Sequence, residues 1–228
     1  MAVALRCFEL VDGHAEIGVL VKDGDTVSAG TQLATISGDA RSILSAERLA
    51  LNLLGQLSGV ATATRMLVDR VRGTGAKIID TRKTVPLLRE LQKMAVVAGG
   101  GANHRMGLFD QVLIKDNHIE AVGSPAEAVR RARTRVGEEI TVEVEIERLE
   151  ELEEVIKAGA DIVMLDNMAP SAMRTAVEIA DGRVLLEASG GITADTVREV
   201  AESGVDLISI GGITHSSPSL DVALDFGA

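Results

Sequence analysis

The residues best suited to chemistry lie between Asp80 and Ile119, in the stretch DTRKTVPLLRELQKMAVVAGGGANHRMGLFDQVLIKDNHI. From Thr81 to Lys115 it carries six cations (Arg82, Lys83, Arg89, Lys93, Arg105, Lys115) and two acids (Glu90, Asp110), a local charge of +4 in a chain whose net charge is -11. Cations gathered this way in an acidic chain describe a pocket for a small, multiply charged anion. Arg82, Lys83, Arg105 and Lys115 each follow a predicted strand or a glycine-rich loop. Arginine forks grip carboxylate or phosphate at two points, and lysine adds a compact charge. Arg89 and Lys93, four apart on a helix with Leu87, Leu88 and Leu91, are expected on the surface. Gly99, Gly100 and Gly101 let the backbone turn before His104, which is a candidate for binding or proton transfer.

Other segments supply complementary groups. Glu145 and Asp166 each end a predicted strand, where carboxylates can hold a sugar's hydroxyls or a Mg2+ ion that retains several waters. The plainer reading pairs them with the nearby cations. In the run VEVEIE, Glu143, Glu145 and Glu147 share one face. Ser189-Gly190-Gly191, ahead of an expected helix start at Thr193, and Gly211-Gly212 let main-chain N–H groups approach a phosphate. His118 and His215 lie near strand ends, whereas His14, in the turn DGHAE, is assigned no role.

These residues need a frame that brings them together. Candidate strands at 77–80, 110–114, 140–145, 161–165, 184–187 and 206–210 alternate with helical patterns at 86–97, 124–135, 149–158, 170–180 and 194–203, which predicts parallel strands. Every strand ends in a polar or glycine group, as expected where the C-terminal ends of barrel strands converge on one mouth. No GxGxxG follows a first strand, which disfavours an open dinucleotide-binding sheet. Ahead of this part, 1–10 reads as a short helix, 17–21 and 31–36 as paired strands, and 40–72 as helix interrupted at Gly55 and Gly59. Within that helix Arg48 reads as a solvated residue. KDGDTVSAGTQLATISG resembles half of a lipoyl-type carrier motif, but the second half is missing.

The acidic chain repels phosphate backbones and anionic lipid, so neither nucleic acid nor membrane is an expected partner. No apolar run is long enough to cross a membrane, one cysteine cannot form an internal disulfide, and a cytoplasmic location is expected.

The words DTRKT (80–84), GGGANHRMGLFD (99–110), VLIKDNHI (112–119), MLDNM (164–168), EASGGIT (187–193) and ITHSSPSLDVALDF (213–226) closely resemble the quinolinate phosphoribosyltransferase family. The resemblance implies an incomplete α/β barrel of six or seven strands over 72–213. It also implies a smaller N-terminal α/β sandwich over 1–71, completed by a returning C-terminal strand in 214–228. It further implies a homodimer, open to assembly into a higher oligomer, in which one subunit's small domain caps the other's barrel and Arg48 reaches the partner's site. Arg48, Arg82, His104, Arg105 and Lys115 would hold quinolinate. Lys83 and Lys115 would face phosphoribosyl pyrophosphate, with Glu145 and Asp166 at its ribose and at Mg2+, and with Ser189, Gly190, Gly191, Gly211, Gly212 and His215 at its phosphate. Lys115, Glu145 and Asp166 would be the catalytic set. The family carries a further segment ahead of the part matching Ala2 to Leu10. Two competing expectations follow: a related pyrophosphorylase-like protein with another acid substrate, and a binding protein impaired by loss of that segment.

Overall fold

The computed structural model describes residues 1–227. Helix α1 (Ala2–Val11) leads into an antiparallel pair, β1 (Glu16–Val19) and β2 (Ala34–Ser37). Asp39 then caps α2 (Ala40–Arg70), its side chain accepting the Ser42 N–H. Ile43, Ala46 and Ala50 in the first half of α2 join Ala4, Cys7 and Phe8 of α1 in a small core. Val60 and Leu67 in the second half belong to the large core. One helix therefore serves both hydrophobic units.

The expected interruption at Gly55 and Gly59 is absent, and α2 runs through both. Tertiary contact explains these glycines better than helix breaking does. A Cβ on Gly55 would lie 2.7 Å from the Leu220 carbonyl oxygen, and one on Gly59 would fall onto that of Pro218. The chain after His215 lies across α2, fixed by the hydrogen bond from Leu220 N–H to the Gly55 carbonyl. Leu224 then packs on the small core. The tail does return to that domain, but 216–227 forms no strand, which corrects the expected completion of a sheet.

The rest of the chain alternates strands with helices. In order these are β3 (Lys77–Ile79), α3 (Arg89–Ala98), β4 (Val112–Ile114), α4 (Asp116–Val122), α5 (Pro125–Val136), β5 (Val142–Ile146), α6 (Leu152–Lys157) and β6 (Ile162–Asp166). They continue as α7 (Pro170–Ala180), β7 (Leu185–Ser189), α8 (Val197–Ala201), β8 (Leu207–Ser209) and α9 (Gly212–His215). The six strands pair in the order β3-β8-β7-β6-β5-β4, all parallel. A single parallel bridge from Ile79 to Ala102 adds a vestigial strand at the open side. This is the incomplete barrel, left unsealed between Ala102 and β4.

The strands are short apolar runs because both faces are covered: Val142, Val144, Ile146, Val163, Leu165, Leu186 and Ile208 are buried. Acids at alternate positions, such as Glu143 and Glu187, break these runs and are buried as well. Helix starts carry local signals. Ser124 accepts the Glu127 N–H with Pro125 in the first turn, and Pro170 opens α7. The expected helix start at Thr193 is instead a turn, and α8 begins at Val197. Two short helices at the mouth, α4 and α9, have no counterpart in the periodic pattern. Among the described residues no helix is long and apolar enough to cross a membrane.

Candidate active site

The cationic segment is anchored from below. Asp80 follows β3 with no exposed surface and forms an ion pair with Lys93 of α3, which is equally buried. Lys93 is expected at the surface; its long stem instead runs inward to meet the buried Asp80 carboxylate, which needs a cation there. Its Nζ also donates to the His104 carbonyl at 2.9 Å, while the His104 N–H donates to Asp80 Oδ1 at 2.9 Å. Arg89 is not a surface residue either. Its guanidinium donates to Thr84 Oγ1 and to the carbonyls of Arg82 and Met106, tying together the two loops that bear Arg82 and Arg105.

His104 has both ring nitrogens occupied within the protein. Nδ1 accepts the Arg105 N–H at 2.6 Å, and Nε2 faces Glu143 Oε2 at 3.1 Å and Glu187 Oε2 at 3.7 Å. The imidazole therefore lies under the mouth, and binding a substrate carboxylate would require it to release one of these partners. Burial pushes the Glu187 carboxyl up to about 8, the Glu143 charge adds to this, and His104 partly offsets it. Burial would lower the His104 imidazole, but the hydrogen bond to Glu143 and the charges of Glu143 and Glu187 raise it overall. Their ligand atoms lie within 4.8 Å of one another, close enough to hold an ion, although the site is sealed and one donor is nitrogen. Glu143, Glu187, Lys93 and Gln111 carry weight at this site that the sequence reading did not give them. The available signal was a charged residue inside an apolar strand, as in VEV and LLEA, which cannot be buried without a partner.

Arg82 and Arg105 stand together above this floor. Each has a buried Nε with no partner among the described residues. Burial and the neighbouring Arg82 charge lower the Arg105 guanidinium, against the pull of Glu143 and Asp110. Two neighbouring guanidiniums, each with an unpartnered Nε, are the kind of pair that grips carboxylate or phosphate at two points.

At the mouth, Lys115 after β4 donates to Glu145 Oε2 of β5 at 2.8 Å. Lys115 is half exposed, whereas Glu145 is mostly covered. His118 serves α4 locally, its Nδ1 accepting the Lys115 N–H at 2.9 Å. Asp166 ends β6 in register with Ser189, and its Oδ2 accepts from Asn167 Nδ2 at 2.7 Å. Asn167 holds a left-handed backbone, φ 52, and its side chain fills the space where a Cβ on Gly190 would lie. Gly190 itself has φ 93, so that position requires glycine. Glu145 and Asp166 offer partly exposed oxygens at the open end, which suits Mg2+ with retained waters better than the sealed His104 group does.

A second focus forms around Gly211. A Cβ there would meet Lys83 Cδ at 3.1 Å and both His215 Nε2 and Thr81 Oγ1 at 3.4 Å, so one lysine, one imidazole and one hydroxyl surround half-buried backbone. Thr214 Oγ1 donates to the Lys83 carbonyl at 2.8 Å, and Gln92 joins the loops by donating to the Thr214 carbonyl and accepting the Val85 N–H. Gly212 opens α9 directly behind. Arg48 is not brought to this mouth. It extends into solvent from α2 beside Glu47, in a groove with Asn52, Gln56, Ser219 and Asp221.

Two family models match the chain: "Quinolinate phosphoribosyl transferase, N-terminal domain" over residues 1–58 and the C-terminal domain of the same name over 60–225. The chain is 46% identical over 224 residues to a probable nicotinate-nucleotide pyrophosphorylase [carboxylating] of Bacillus subtilis, covering 98% of this chain and 78% of that protein. It is also 46% identical over 218 residues to the nicotinate-nucleotide pyrophosphorylase [carboxylating] of Mycobacterium leprae, covering 94% and 76%. The crystal structure of NadC from Streptococcus pyogenes superposes with a TM-score of 0.93 at 42% identity, covering 97% of this chain and 78% of that one. The nicotinate-nucleotide pyrophosphorylase of Francisella tularensis gives 0.92 at 44%, covering 96% and 78%.

Proposed function

Because the chain belongs to the quinolinate phosphoribosyltransferase family, we propose that it joins quinolinate to the phosphoribosyl group of phosphoribosyl pyrophosphate. The products are nicotinate mononucleotide, pyrophosphate and CO2, a step of NAD biosynthesis. The observation that carries this reading is that the Lys115–Glu145 pair, the neighbouring Arg82 and Arg105 guanidiniums and the Lys83–Gly211–His215 cluster all lie at or after the C-terminal ends of strands of one parallel sheet or in its connecting loop.

The geometry supports a division of labour. Arg82, Arg105 and Lys115 hold the two carboxylates and fix the ring nitrogen toward the ribose. Lys83, His215 and the backbone at Gly190, Gly191, Gly211 and Gly212, with Ser189, hold the phosphate end. Glu145 and Asp166 would hold Mg2+, which when bound neutralises charge on pyrophosphate. As the nitrogen forms its bond to the anomeric carbon and the bond to pyrophosphate breaks, positive charge on the ribose is stabilised by the Glu145 and Asp166 carboxylates. The nitrogen, now cationic, draws the electron pair left on the ring when the adjacent carboxylate departs as CO2. That ring carbon then takes a proton, and in this reading Lys115 Nζ gives it.

Arg48, exposed on α2, completes the acid site of a partner subunit in a homodimer, which can assemble further. The cytoplasm, where a lone buried thiol such as Cys7 stays reduced, is the proposed location. The test is stoichiometry: with quinolinate, phosphoribosyl pyrophosphate and Mg2+, the purified protein should release CO2 and pyrophosphate one to one. Nicotinate and other ring acids serve as competitors. Faster turnover of another acid would reassign the substrate, and no turnover of any acid would sink the enzymatic reading.

A further inference from the structure

We infer that Glu143 is a positioning residue for the acid substrate, fastening both ends of the loop that carries Arg105 to the barrel floor, through His104 at one end and Gln111 at the other. Naming the acid rests on the quinolinate reading; the positioning rests on geometry.

Glu143 has no exposed surface, and its Oε2 is the shared anchor, accepting Gln111 Nε2 at 2.6 Å and facing His104 Nε2 at 3.1 Å. Because His104 Nδ1 accepts the Arg105 N–H, the ring proton lies on Nε2 and points at Glu143. On the other side the Gln111 carbonyl accepts Arg105 Nη1 at 3.3 Å. A single carboxylate oxygen thus governs both the backbone nitrogen of Arg105 and its guanidinium tip.

The loop needs such an anchor because it has no strand to hold it. The ladder from β3 stops at the lone Ala102 bridge, and β4 begins only at Val112. Asp110 closes the turn between by accepting the N–H groups of Met106 and Gly107. The repulsion between Arg82 and Arg105 works to spread the pair, and the Glu143 charge opposes it from below. Filling the interior does not account for the residue, since an apolar side chain would fill the space without the cost of burying a carboxylate.

Glu143→Gln removes the charge, and Gln111→Met removes the second link while leaving Glu143 in place. Both should raise the KM for quinolinate about tenfold or more, the scale of a lost charged hydrogen bond, with kcat and the KM for phosphoribosyl pyrophosphate changed by less than about twofold. Glu143→Asp should restore part of the loss. In the ligand-free protein, amides of 104–111 should exchange hydrogen faster in both variants while those of β6 and β7 stay unchanged. This readout stands even if the wild-type protein fails to turn over quinolinate, a result that would count against the function and not against the positioning. If Glu143→Gln does not fold, Gln111→Met decides alone. Unchanged exchange at 104–111, or an equal loss across kcat and both KM values, overturns the inference.

Discussion

Lys93 of α3 and Asp80 at the end of β3 form an ion pair in which neither side chain meets solvent. The pair does more than hold a helix to a strand. Through Asp80 Oδ1 and Lys93 Nζ it also clamps the N–H and the carbonyl of His104, so the loop bearing Arg105 starts from a fixed peptide.

Removing one partner strands the other charge. Lys93→Met should therefore destabilise the fold by about 3–5 kcal/mol in urea unfolding, and the Lys93→Met/Asp80→Leu double variant should recover part of that. A loss below about 1 kcal/mol for the single variant would mean that the charges are not paired in solution.

Lys115 is half exposed and packs against no core, so its loss should spare the fold. Lys115→Ala is expected to lower kcat by about 10²–10³, as for loss of one preorganised charged group, with an unchanged urea midpoint. Near-normal turnover would remove Lys115 from the mechanism.

Subunit sharing makes a separate prediction. Arg48→Ala and Lys115→Ala, each inactive alone, should regain about a quarter of wild-type activity on mixing, because heterodimers contain one site free of both changes. Verified heterodimers without activity would mean that Arg48 serves no partner site.

The buried acid and imidazole set the pH response of stability. Glu187 binds its proton up to about pH 8 when folded, far above its ordinary value of 4.5, and His104 is also raised. Both groups hold protons more tightly in the folded chain, so their contribution is full at low pH and is lost as pH climbs through the folded values. The urea midpoint should decline between pH 5 and 8, and Glu187→Gln should flatten that slope. A midpoint rising over this range would contradict the burial of Glu187.

The small residues of α2 give a packing test. Alanine normally favours a helix over glycine by about 1 kcal/mol, yet Gly59→Ala should destabilise, since its methyl would displace the Pro218 carbonyl. Gly55→Ala, with more room, should cost less. Thermal unfolding and proteolysis of the 216–227 tail report both.

Much of the barrel was legible because its strands are apolar runs between helical patterns, and the mouth because Lys115, Asp166 and Gly211 follow those runs directly. The errors share one cause. Lys93 and Arg89 follow helical spacing that says nothing of what stands opposite, and their partners Asp80 and Met106 lie in other elements. Gly55 and Gly59 read as helix breakers for the same reason, since the tail they admit is remote in sequence. Glu143 and Glu187 stand out in the sequence as acids inside apolar strands, but their shared partner His104 is visible only in the folded chain.

The seat of the tail also bears on the order in which the molecule is made. Helix α2 leaves the ribosome long before Pro218, Leu220 and Leu224 exist to cover it, so a growing chain carries an open glycine stripe and an unfinished small core. Local contacts between α1 and α2 can form at once, while this closure must wait for distant sequence. During translation, then, the long helix is a surface on which a chaperone or another nascent chain can settle before the protein's own tail arrives.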